Sequence, residues 1–97
     1  MRYSTSEVRA IVEGYEELKA NADTWGPGLH SLLCLADLRR ALVEMPEDLR
    51  RAVLVHGQYR HTIRDAATLL GETKWSAFEL YHEGLSWIVR FLNGDDQ

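Results

Sequence analysis

"TIRDAATLLGETKWSAFELYHEGL", Thr62 to Leu85, is the stretch that decides the fold. Thr62 and Asp65 have the spacing of a helix cap and its first-turn partner. The apolar run behind them ends at Leu70, and Gly71 suits the left-handed position that follows a helix. Thr73 caps the next helix, which is expected to run to about Leu92, just before Asn93-Gly94. The turn "LGET" between the two has the length and the glycine of a helix-turn-helix.

Upstream, Ser4 and Glu7 are spaced as a capping box, and Val8, Ile11, Val12, Tyr15 and Leu18 recur at helical intervals. Arg9, Glu13, Glu16, Glu17 and Lys19 form the solvated face of this single first helix. "NADTWGPG" follows; its Gly-Pro-Gly cannot continue a helix, and the stretch reads as a linker pinned by Trp25. A second helix is expected from about Leu29 to Met45. A third is expected from Pro46, at a first helical position, to about His56, stopping at Gly57; Glu47 and Asp48 lie near the positive end of its dipole. Strand signals and internal repeats are absent. The expectation is an all-α fold of about five helices in one domain, residues 1–97, with an N-terminal helix and linker (1–28) ahead of the helix-turn-helix region (29–97).

Of 97 residues, 45% are hydrophobic, which suits one small folded domain. The net charge of −4 leans away from a dedicated nucleic-acid binder. Cys34 is the only cysteine, so neither an internal disulfide nor a cysteine-based zinc site is expected, and its place in "SLLCLA" reads as core. No apolar run approaches the ~20 residues of a membrane span. The expectation is a soluble, cytoplasmic protein with no membrane partner.

The segments "LRRALVEMPEDLRRAVLV" and "TIRDAATLLGETKWSAFELYHEGL" together resemble the C-terminal region of bacterial sigma factors, which faces the −35 promoter box. The likeness covers roughly Asp37 to Gly94 and is nearest to short sigma-like proteins of actinobacterial phages. "MPEDLR", "AATLLG", "YHEGL" and "FLNG" carry it. It implies a DNA-binding, transcription-related protein without the rest of a sigma factor, working in a host bacterial cytoplasm if phage-encoded. Thr73 matches the family pattern, which implies a DNA contact there, Ser76 is chemically compatible with a groove contact, and Ala77, Tyr81, Gly84 and Leu85 fit the family's inward positions. The departures are Phe78, Glu79, Leu80, His82 and Glu83, where relatives present polar and basic residues.

On a helical wheel of about 100° per residue, Trp87, Leu80, Phe91, Ala77, Ile88, Tyr81, Leu92, Leu85, Phe78 and Val89 form one apolar arc. That arc spans roughly half the circumference, against on the order of 100° for a surface helix. The first helix, whose own stripe needs a partner, is one cover; a second protein chain is another. Two functions follow. If duplex DNA is the ligand, Lys74, Trp75, Ser76 and Glu79 face the groove, since a glutamate can accept from cytosine, while Arg60, Thr62 and Arg64 hold the backbone. Arg50 and Arg51 read as solvating a helix and pairing with Glu47 or Asp48. If a protein is the ligand (a host protein, RNA polymerase or a second copy as a homodimer), Trp75, Phe78, Leu80, His82 and Trp87 form the interface.

Enzymatic chemistry is not expected. No serine lies in a nucleophile elbow, and no glycine-rich loop joins a strand to a helix. His30, His56, His61 and His82 lack the i, i+4 spacing of metal ligands, and His56 with His61 has no clear third ligand nearby. No metal or cofactor is expected.

Overall fold

The computed structural model describes residues 3–24 and 29–94, and within them not the side chains of residues 18, 21–24 or 29–33. Residues 21–24 of the expected linker are instead the end of a helix, since only the Gly-Pro-Gly further on is barred from winding; residues 25–28, Trp25 among them, lie outside the described residues, as do the side chains of Leu18, His30, Leu32 and Leu33. The described chain is all-α, with no strand. It comprises α1 (Thr5–Glu13), α2 (Tyr15–Thr24), α3 (Leu29–Glu44), α4 (Glu47–Ala52), a π-helical segment (Val53–Gln58), α5 (Ile63–Leu70) and α6 (Lys74–Asn93).

The capping box of α1 forms as its spacing dictates. Ser4 Oγ accepts from the Glu7 amide at 3.1 Å and Glu7 Oε1 accepts from the Ser4 amide at 3.1 Å. The single first helix expected from the sequence is instead two, broken at Gly14 (φ −99°, ψ 14°). A Cβ there would lie 2.9 Å from the Ala10 carbonyl oxygen, so the tight end of α1 needs a residue without one. Across the break, Val8, Val12 and Tyr15 all still reach the core.

Two further boundaries differ from expectation. Pro46 is the cap of α4 and not its first helical residue, because its ψ of 143° is extended. Its carbonyl accepts the first helical bond, from the Arg50 amide at 2.9 Å. Helical winding also continues past Gly57 as a π-helical turn to Gln58. Glycine is tolerated there because the wider turn presses it against Val12 and Tyr81, where a side chain would collide with both. Arg60 then reverses the chain with a left-handed φ of 62°, an uncommon conformation for a residue other than glycine. Its guanidinium donates to the Glu13 carbonyl at 3.0 Å, which ties the reversal to the end of α1.

The segment from Thr62 to Gly94 follows the sequence reading closely. Thr62 Oγ1 accepts from the Asp65 amide and Thr73 Oγ1 from the Ser76 amide. Gly71 is left-handed at φ 70°. Bonds from the Gly71 amide to the Thr68 carbonyl and from the Glu72 amide to the Ala67 carbonyl close α5 as a Schellman motif. Helix α6 ends one residue beyond expectation, at Asn93, before left-handed Gly94.

The core forms around α6, which packs on α1, α3, α4, α5 and the π-helical segment. Ala77, Tyr81, Gly84, Leu85 and Ile88 form its buried line. Val8, Val12, Leu38, Met45, Leu49 and Val53 meet Tyr81, Leu85 and Ile88 in one cluster. Much of the wide apolar arc is therefore covered from within the chain, by α1 among others. Asn93 clasps the N-terminus: its Oδ1 accepts from the Tyr3 amide (2.7 Å) and its Nδ2 donates to the Tyr3 carbonyl (2.9 Å). Tyr3 also donates from its hydroxyl to Asp37 Oδ2 at 2.8 Å.

Candidate functional site

Helices α5 and α6 are joined by only Gly71, Glu72 and Thr73, with both ends of the turn fixed by local hydrogen bonds. Ala66 and Ala67 on α5 and Ala77 and Tyr81 on α6 are buried, and small residues at three of these four positions let the two helices approach closely. What remains outside is the opposite side of the N-terminal half of α6. Lys74, Trp75, Phe78, Glu79 and Glu83 are all exposed, Trp75 at 68% and Phe78 at 44%.

Trp75 and Phe78, three residues apart, share one side of the helix. Their rings stack with centroids 6.0 Å apart and planes 17° from parallel. His82 continues the row, 4.3 Å from the Phe78 ring. Ile63, Lys74, Trp75 and Phe78 line an open groove of about 410 Å³. Lys74 and Trp75 begin α6 and Ile63 begins α5, so the groove lies where the positive ends of two helix dipoles meet.

The residues expected to touch DNA thus divide. Lys74 and Trp75 come together at the groove, and Glu79 is exposed one helical turn beyond Trp75. Thr62 and Thr73 spend their side-chain oxygens on capping. Ser76 is partly buried, and its hydroxyl donates to Glu72 Oε1 at 2.6 Å, which holds it in the turn. Arg64 is exposed on the first turn of α5, next to Ile63. Arg60 is not at this groove; it lines a separate depression with Glu13, Glu16 and Glu17. Arg50 donates to the Leu42 carbonyl at 3.2 Å.

The residues expected at a protein interface divide as well. Trp75, Phe78 and His82 form a contiguous surface. Leu80 and Trp87 are partly buried and pack against the core, Trp87 stacked on Phe91 at 5.1 Å. Arg40 lies 5.6 Å above that Phe91 ring.

Sequence reasoning missed the polar network behind α6. The buried Tyr81 hydroxyl donates to Glu13 Oε2 at 2.7 Å, and Arg9 donates to the same oxygen at 3.0 Å. Burial by itself would raise the Glu13 carboxyl, but the hydrogen bonds from Tyr81 and Arg9 outweigh it and hold the group below its ordinary range. Burial pushes the Tyr81 hydroxyl up, reinforced by the carboxylate it faces. The His56 ring meets Tyr81 edge-on at 4.7 Å, and its Nδ1 is 2.8 Å from the His61 carbonyl oxygen. The sequence places Glu13 on the solvated face of a single first helix; in the structure it is instead partly buried, because α1 packs on α6 and brings the Tyr81 hydroxyl to it.

Among the described residues, no group of three or more His, Cys, Asp or Glu side chains gathers as a metal site, and no helix is long and apolar enough to cross a membrane. No protein-family model, curated protein or solved structure matches this chain.

Proposed function

We propose that α5 and α6 act as a helix-turn-helix of the sigma C-terminal-region kind, and that the protein is a small transcription regulator binding duplex DNA through the exposed start of α6. The observation that carries this reading is the division of α6. One side is locked into the core by Ala77, Tyr81, Leu85 and Ile88, while the opposite side of its first two turns, with Lys74, Trp75, Phe78 and Glu79, is exposed beside a short, doubly capped turn. A helix held in this way presents its N-terminal side chains to a groove as a rigid unit. Lys74 and Arg64 flank the projecting surface and supply phosphate contacts. Glu79 lies where base edges would be and accepts from a cytosine amino group. Arg60, bonded to Glu13, serves the fold in this arrangement and leaves the phosphate contacts to the other two cations.

A second reading has its own observation. The stacked, exposed Trp75 and Phe78, in a chain of net charge −4, suit a protein-binding module built on the same scaffold. Titration of labelled random duplex DNA, followed by fluorescence anisotropy at low and at physiological salt, separates the two. DNA binding predicts affinity that falls steeply with salt. It also predicts that Lys74→Ala and Arg64→Ala each weaken binding and lower the salt slope by about 1. Absence of binding at low salt overturns the DNA reading.

A further inference from the structure

The groove formed by Ile63, Trp75 and Phe78 has a chemistry that phosphate contacts do not use. It is apolar and aromatic, it lies on the projecting part of α6, and Lys74 forms part of its wall. Resting on the DNA reading above, we infer that this groove takes the 5-methyl edge of thymine in the major groove, so the preferred site is set by thymine methyl groups.

Three observations carry the assignment. In the major groove of an unmodified duplex, the thymine 5-methyl group is the one apolar feature on the base edges. Trp75 and Phe78 are the exposed apolar side chains on the first two turns of α6, and their rings stack on one another at the groove. The charges suit this: Lys74 lines the groove, exposed Arg64 follows Ile63 in the chain, and exposed Glu79 follows Phe78.

Size and charge disfavour a protein occupant. A stable protein interface buries about 800 Å² per partner, with charged residues depleted at its centre. Here three apolar side chains line the groove, and exposed Lys74, Glu72, Glu79, Asp65 and Arg64 are close to them in the chain.

The test starts from duplexes that the full chain enriches from a random pool. Each is remade with deoxyuridine in place of thymidine, which removes only the methyl groups. Affinity should fall about four-fold for each methyl group buried. In the Trp75→Ala/Phe78→Ala variant, which alters exposed residues, thymine and uracil duplexes should bind alike. Wild-type binding that is equal for thymine and uracil duplexes overturns this inference and leaves the DNA reading standing. Failure to bind any duplex at low salt overturns both. A thymine preference that survives in the double variant overturns the assignment to these two rings.

Discussion

Replacing Gly84 with alanine sets two well-known effects against each other, and the structure decides between them. Gly84 is in the middle of α6, where alanine is favoured over glycine by about 1 kcal/mol on helix propensity alone. A Cβ at this position, however, would lie 2.5 Å from Val53 Cγ2 and 3.3 Å from the Leu49 carbonyl oxygen. The valine methyl has little room, since Val53 is itself 1% exposed, and the carbonyl belongs to helical backbone. Overpacking of this kind costs about 1–3 kcal/mol. Taking the upper half of that range, because backbone is involved, the net expectation is a loss of about 1–2 kcal/mol. For a domain of this size each kcal/mol corresponds to about 4–8 °C in Tm. Thermal unfolding followed by far-UV circular dichroism reads the change directly. The same substitution in a Val53→Ala background should be milder, with a coupling of about 0.5–3 kcal/mol between the two sites. A Tm that rises in Gly84→Ala would falsify the claim that α6 approaches α4 and the π-helical segment through this glycine.

Further expectations concern the Glu13 network, the turn and the aromatic surface. Glu13 is held below its ordinary range in the folded protein, so its contribution is present above the unfolded value, about 4.3. It is lost as pH falls below that value. Melting midpoints measured between neutral and acidic pH should therefore decline less steeply in Glu13→Gln, and an unchanged slope would remove Glu13 from the acid response. Tyr81→Phe deletes a hydrogen bond to a charged acceptor and should cost about 1.5–3 kcal/mol in urea denaturation, whereas a neutral effect would contradict the bonded geometry. Tyr81 itself is raised, so alkaline pH should destabilise the fold as the solution passes the unfolded tyrosine value of about 10, and Tyr81→Phe should weaken that dependence. Thr73→Ala removes the cap of α6 and should cost about 1 kcal/mol, recovered in part by Thr73→Ser. Trp75→Ala should change stability by no more than about 0.5 kcal/mol, because the side chain is largely in solvent.

Local signals in the chain determined the ends of several helices. Ser4 with Glu7, Thr62 with Asp65, and Thr73 ahead of α6 each cap through a partner within three residues, so tertiary context has little influence on them. The left-handed glycines at 71 and 94 are equally local. Periodicity was enough to place Ala77, Tyr81, Leu85 and Ile88 on the inner side of α6. Tertiary structure decided the rest. The π-helical turn over Gly57 and the left-handed Arg60 are tied to α1 and Tyr81 by contacts between residues far apart in the chain. The Tyr3–Asn93 clasp spans nearly the whole sequence and has no local signature. The division of the apolar arc was likewise invisible on a wheel. Trp75 falls outside the arc and is exposed as the wheel implies, but Phe78 lies in the arc with Leu80 and Trp87, and the partner helices cover the latter two more fully and leave Phe78 exposed. A helix's own sequence gives the width of its apolar face; the helices packed against it select which part of that face remains for a ligand.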